Sequence, residues 1–232
     1  MMLKGYLLEK QQKLLQQQSN FYTSTGLHVF FKDPVKNIDI ESVIEKVESS
    51  VPVHLLSEVE MIIFGWFEEF EERALSAFYD GGTLYISNKH KDFNSVYDDI
   101  VHEISHSIEE PYGYFIYGDK KIEDEFLRKR KYLHDILWNM DYKIPLSVAM
   151  DPEYNEEFDM FLYKKVGYDK LEIILSGIFI SPYAATSLRE YFATGFAEFF
   201  TNPDLNSFLQ KVSPELYKKL ILLQNSEELD NQ

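Results

Sequence analysis

The amino-acid sequence predicts an α+β fold, and three observations carry that reading. Short runs of branched and aromatic residues at 27–31, 59–64 and 83–87 are bounded by turn residues and have strand character. A helix-period segment at 40–47 separates the first two runs, and a second one at 95–108 follows the third. Past residue 111 nearly every periodic stretch reads as helix. Strand, helix, strand, strand, helix is the order of a small mixed sheet packed on one helix, here followed by a mainly helical C-terminal half.

Composition narrows what such a fold can do. A chain of 232 residues with 45% hydrophobic and 16% aromatic residues fills one large core, so the expectation is a single domain over 1–232. With no cysteine there is no disulfide, no thiolate ligand and no thiol nucleophile, so a metal must be held by His, Asp or Glu. A formal net charge of −16 repels phosphate and excludes nucleic acid as the expected partner. No window approaches the roughly 18 apolar residues of a membrane span. Residues 1–10 lack the apolar centre of a secretory signal, so a cytoplasmic protein is expected; export by another route or virion association would leave the same sequence.

In chain order, residues 1–20 alternate Leu with Gln and Lys and read as a peripheral helix. Residues 27–31 form a buried strand that Asp33-Pro34 breaks, and the helix at 40–47 follows. Met61 to Phe64 is the centre of the second strand. Asp80-Gly81-Gly82 is a turn that feeds the third, Thr83–Ser87.

The next helix carries the chemistry. His102-Glu103-Ile104-Ser105-His106 is an H-E-x-x-H pattern, and a spacing of four turns both imidazoles to one side of a helix, about one turn apart. Zinc suits two neutral imidazoles and accepts a tetrahedral site with few protein ligands. Glu103, rotated off the histidine face, can reach a metal-bound water as general base. Ser95 to Asp98 reads as a capping box, Asp98 and Asp99 as first-turn acids, and Pro111 with Gly113 as the stop. His28, His54, His90 and His134 read as structural or surface residues, with His134 the least implausible alternative ligand.

A catalytic zinc needs a third protein ligand and an open position. Residues 187–200 form a helix with Glu190, Ala193, Thr194, Ala197 and Glu198 on one face and Phe192, Phe196, Phe199 and Phe200 on the other. The small-residue face lets the helix approach another backbone while Glu190 reaches out as ligand. Two other readings stay open: Glu190 as the capping partner of Ser187, and Glu198 as the ligand instead.

H-E-x-x-H followed by Glu190-Tyr191-Phe192-Ala193 and Phe196 resembles the gluzincin metallopeptidases of the lethal-factor catalytic-domain type, which include the proline–proline endopeptidases. Tyr183, seven positions before Glu190, and the run Gly82-Thr83-Leu84-Tyr85-Ile86 also match that family. The resemblance covers about 51–110 and 178–202. It implies a zincin-like endopeptidase with Zn2+ on His102, His106 and Glu190, Glu103 as base, and Tyr183 as hydrogen-bond donor to the transition state. Thr194 stands where the family has a second acidic residue, so the substrate class does not carry over.

The expected reaction is hydrolysis of a protein or peptide, with Thr83, Leu84, Tyr85, Ile86 and Ser87 as the edge strand that pairs with an extended substrate. The competing class is an inert zincin-fold structural protein or a metal-binding regulatory module; neither needs Glu103 beside the histidines. Residues 111–177 read as a helical insertion, either a lid or a packing subdomain. Residues 214–223 form a last helix, and 226–232 an acidic tail.

Overall fold

The structure is a computed structural model and describes residues 5–7, 10, 20–72 and 75–225. Most of the expected N-terminal helix and all of the acidic tail lie outside the described residues. The chain packs as two compact units that meet in sequence at Ile108 and Glu109.

Period-2 patterning builds the first unit. β1 (Phe21–Tyr22), β2 (His28–Phe31), β3 (Met61–Gly65), β4 (Ala77–Asp80) and β5 (Thr83–Ser87) form one mixed sheet in the order β1-β2-β3-β5-β4. The parallel registers place Val29 opposite Ile62 and Ile62 opposite Leu84, and likewise Phe31, Phe64 and Ile86. These six side chains are buried, two apolar rows on one face of the sheet. Helix α1 (Ile40–Ser50) begins at Asp39, whose carboxylate accepts the Ser42 N–H, and buries Ile40, Val43, Ile44 and Val47. A one-turn helix, α2 (Glu69–Glu72), precedes β4. Helix α3 (Phe93–Ser107) packs against α1, β4 and β5.

β4 was not among the expected strands, and it changes the role of its neighbour. Asp80 pairs with Thr83 across a two-residue loop, Gly81-Gly82, whose φ angles of 51° and 81° suit glycine and a tight hairpin turn. The hairpin folds β4 onto the outside of β5, so β5 is paired with β3 on one side and β4 on the other. The expectation that Thr83–Ser87 is the edge of the sheet is therefore corrected: β4 is the terminal strand at that end. Leu84 and Ile86 are buried in the core as well, so their side chains have no access to a substrate.

The second unit is helical: α4 (Glu109–Tyr117), α5 (Lys121–Asn139), α6 (Leu146–Ala149), α7 (Glu156–Met160), a π-helical turn at Phe161–Val166, α8 (Tyr168–Leu175), α9 (Leu188–Thr201), α10 (Asn206–Val212) and α11 (Pro214–Gln224). The segment at 111–177 does not stand apart within it, because α5 packs on α9 and α11. Phe192, Phe196, Phe199 and Phe200 on α9 are all buried. On the α11 side, Gly195 leaves no room for a side chain: a Cβ there would collide with Leu216. No described helix is long and apolar enough to cross a membrane.

Two helix boundaries are corrected. The capping box of α3 sits one turn before the expected one: Asp92 accepts the Ser95 N–H at 2.9 Å, and the Ser95 hydroxyl faces the Asp92 N–H at 3.4 Å. Asp98 and Asp99 therefore lie a turn deeper than the first turn. Pro111 and Gly113 do not end α3, which stops at Ser107; they lie inside α4. A proline in a first helical turn costs no hydrogen bond, since the N–H there has no helical acceptor.

Candidate metal centre

Helix α3 presents its motif as the spacing requires. Val96, Ile100, Val101 and Ile104 are buried on its inner face, which fixes the rotation of the helix. His102 and His106 come out half-buried on one side with ring centroids 5.1 Å apart. Glu103, only 8% exposed, is the one buried carboxylate of this helix. The Ser105 hydroxyl donates to the His102 carbonyl at 2.5 Å and that of Ser107 to the Ile104 carbonyl at 2.7 Å, bonds that take up small polar groups on a buried face.

A second contact holds α3 from the sheet side. His90, at the turn after β5, has Nδ1 2.6 Å from the Ser87 carbonyl and Nε2 2.8 Å from Asp99 Oδ2. Both partners are acceptors, so both ring nitrogens must carry protons for both bonds to form. Burial pulls the pKa of His90 down, but the hydrogen bonds to Asp99 and Ser87, with the nearby charges of Asp99 and Asp92, outweigh it and raise the pKa above the ordinary value. Asp99 also accepts the Ser76 hydroxyl at 2.5 Å, which ties in the start of β4.

The third candidate is carried by α9. Ser187 is its N-cap, accepting the Glu190 N–H at 3.1 Å, so Glu190 stands in the first turn. The ligand atoms of His102, His106 and Glu190 all lie within 4.8 Å of one another, a group that could hold a metal ion. Glu198 is not in that group and accepts from Asn202 at the far end of the helix. His134 is not in it either: its Nε2 faces the Ile144 carbonyl at 3.1 Å and its ring stacks on Trp138. His28 stacks on Tyr22 at the edge of the sheet.

Tyr183 opens a 3-10 turn, Tyr183–Ala185, whose main chain is closed by Ala185 N–H to Pro182 O at 3.1 Å and Thr186 N–H to Tyr183 O at 3.0 Å. Its side chain is 38% exposed. This turn, the cap and the first turn of α9 together make up the seven-residue spacing between Tyr183 and Glu190.

Three polar anchors of this region were not foreseen from the sequence. Arg189, next to Glu190, is ion-paired with Glu109 at 2.5 Å, and Glu109 also accepts the Tyr117 hydroxyl at 2.6 Å. Glu109 holds the Arg189 guanidinium above its ordinary pKa, and burial raises that of the Tyr117 phenol. On the other flank of Glu190, the Tyr191 hydroxyl donates to Glu125 at 2.8 Å and accepts from Lys129 at 2.7 Å. Glu125 takes the Glu215 and Leu216 N–H groups at the start of α11, and burial pulls the Lys129 ammonium down to about 8 against the pull of Glu125. The third anchor is Arg130, buried among main-chain carbonyls. The helical periodicity of Phe126, Arg130, Leu133 and Leu137 is the signal that could have flagged it, since it puts a cation on the apolar face of α5.

Comparison with protein-family models, with curated proteins and with solved structures finds no match for this chain.

Proposed function

We propose that this chain is a zinc-dependent endopeptidase on a zincin-like fold, of the lethal-factor catalytic-domain type its motifs resemble. The observation that carries the reading is the grouping of His102, His106 and Glu190, with the buried carboxylate of Glu103 next in sequence to the first of them. Two imidazoles, one carboxylate and no thiolate fit zinc, and three protein ligands leave a coordination position for a reacting group. Zinc held there supplies Lewis acidity, which polarises a carbonyl and lowers the pKa of water to about 7.

The chain's own groups do the rest. Glu103 takes the proton of the attacking water as its oxygen adds to the scissile carbonyl carbon, then returns that proton to the departing amine nitrogen as the C–N bond breaks. The Tyr183 phenol donates a hydrogen bond to the oxygen on which negative charge develops. An extended substrate backbone would pair along β4, the terminal strand packed on α3, with side chains of either kind accepted because main-chain bonds set the register.

The test separates catalysis from metal binding. Purified protein is expected to carry about one zinc per chain and to cleave members of an unbiased peptide library. Glu103→Gln should retain the zinc and the fold while losing activity by roughly 10²–10⁴ or more. Zinc without any cleavage by the wild type would favour a regulatory metal-binding module, and normal turnover in Glu103→Gln would remove the general base.

A further inference from the structure

Arg130 is a buried cation held by no side-chain acceptor in its hydrogen bonds. It is 0% exposed, and its guanidinium donates four hydrogen bonds, each to a main-chain carbonyl. Nε reaches Ala149 O at 2.7 Å, Nη2 reaches Asp151 O at 3.3 Å, and Nη1 reaches Ala185 O at 2.8 Å and Thr186 O at 3.1 Å. Its flat face lies on the Phe158 ring, 3.7 Å from the centroid, with Phe126 at 5.2 Å. Burial pulls the guanidinium down to about 9, which leaves it charged at neutral pH.

The carbonyls it gathers locate its effect. Ala185 and Thr186 lie between Tyr183 and the Ser187 cap of α9, ahead of the first carbonyl that the helix itself uses. Ala149 and Asp151 belong to the segment that also accepts the Leu188 N–H, at Pro152 O, 2.7 Å. A planar fork of five donors can bind four carbonyls from two segments at once and fix their relative rotation. Lysine, with a single donor centre, cannot. The turn that bears Tyr183 is only three residues of 3-10 helix, with Ala184 and Ala185 buried and Tyr183 exposed, and the fork adds side-chain bonds to its few main-chain ones.

We propose that Arg130 is a positioning residue for the hydrolysis, holding the Tyr183–Ala185 turn so that the phenol is oriented before substrate arrives. This rests on the zinc endopeptidase reading above. Arg130 touches neither substrate nor metal in this role; it acts through Tyr183.

The test is a double-mutant cycle with a metal-independent readout. Arg130→Lys should lower kcat by roughly 10²-fold, the scale for misplacing a catalytic group by about an ångström, with KM little changed. Tyr183→Phe should lower it by roughly 10²–10³. The double variant should match Tyr183→Phe alone within about twofold, because an orienting group has nothing left to orient. In the metal-free protein, Arg130→Lys should speed amide hydrogen exchange at Ala185, Thr186 and Leu188 by about tenfold or more while Ile62 and Phe64 in β3 stay protected. Multiplicative losses in the cycle, or unchanged exchange at the turn, would overturn the proposal, as would exchange accelerated equally throughout the chain. If Arg130→Lys does not fold, Phe158→Leu withdraws the ring beneath the guanidinium and is judged by the same two readouts. A wild type that neither binds zinc nor cleaves peptides defeats the endopeptidase reading separately. The hold of Arg130 on the turn is then decided by exchange alone, protection kept in Arg130→Lys being the result that rejects it.

Discussion

Helices α3 and α9 both carry candidate ligands, yet they reach their positions by different means. In α3 the two histidines and the buried glutamate lie within five residues, and the apolar stripe of Val96, Ile100, Val101 and Ile104 sets their rotation against α1 and the sheet. In α9 the single candidate ligand sits at the first turn, and its placement depends on distant groups: Arg189 on Glu109, Tyr191 on Glu125 and Lys129, and the preceding turn on Arg130. The first arrangement is local and repeats with the helix. The second is a set of long-range polar contacts around a helix whose own sequence says mainly that one face is aromatic. A change in α3 should therefore act on the chemistry directly, and a change around α9 through orientation.

The sharpest break of that comparison is Tyr183→Phe. It removes one hydroxyl from a partly exposed ring and leaves the main-chain bonds of the 3-10 turn, and those to the Ser181, Thr186 and Arg130 side chains, in place. The expected outcome is a fall in kcat of roughly 10²–10³ with zinc content and thermal midpoint nearly unchanged. Steady-state kinetics beside a melting curve decide it. Loss of stability in place of activity would make Tyr183 a packing residue, and the α9 side would then contribute a ligand and no donor.

A smaller effect is expected from Gly195→Ala, which probes how closely α9 lies on α11. The added Cβ would strike the Leu216 side chain, whose Cγ would be 3.1 Å away, and Leu216 is fully buried. Overpacking of this kind costs about 1–3 kcal/mol. Removing a helical glycine returns about 1 kcal/mol, so a net loss of up to about 2 kcal/mol is expected in denaturant unfolding. Adding Leu216→Ala should make the alanine at 195 nearly neutral. Full stability of Gly195→Ala alone would mean that α11 yields easily, and that α9 is not held as tightly as its contacts indicate.

The same contrast explains which features are legible in the sequence alone. The H-E-x-x-H helix, the strands centred on Val29, Ile62 and Leu84, and the aromatic face of α9 are all periodic patterns in contiguous residues, and each stands close to where it was expected. β4 escaped notice because four residues, Ala77–Asp80, are too few to show alternation, and with it went the edge of the sheet. Sheet order depends on where a hairpin folds, which no single strand encodes. The α3 cap stands a turn earlier than the sequence predicts because Asp92 with Ser95 and Ser95 with Asp98 both satisfy the capping spacing, and only the backbone chooses. Arg130 illustrates the harder case: its acceptors are carbonyls 19 to 56 residues away, and a carbonyl has no letter in the sequence.

The least expected change, and the one that distinguishes the two helices most selectively, comes from pH. The α3 side is held by a cation that can be discharged, His90 between Asp99 and Ser87, whereas the turn before α9 is held by Arg130, which stays charged. His90 has a folded pKa above its ordinary value of 6.5, so its contribution to stability is fully present below about pH 6.5 and is lost as pH rises through the folded pKa. Burial opposes the rise, which keeps the net effect small. On the alkaline side of that window one ring nitrogen loses its proton and faces either the Asp99 carboxylate or the Ser87 carbonyl as a second acceptor. Denaturant unfolding of the wild type should therefore weaken from pH about 6.5 upward, and His90→Gln should lose that slope. Hydrogen exchange, corrected for its intrinsic pH dependence, should show the loosening near Ser87 and α3 and none at Ala185 or Thr186. A slope that survives in His90→Gln would assign it to another group and leave the two helices alike in their response to pH.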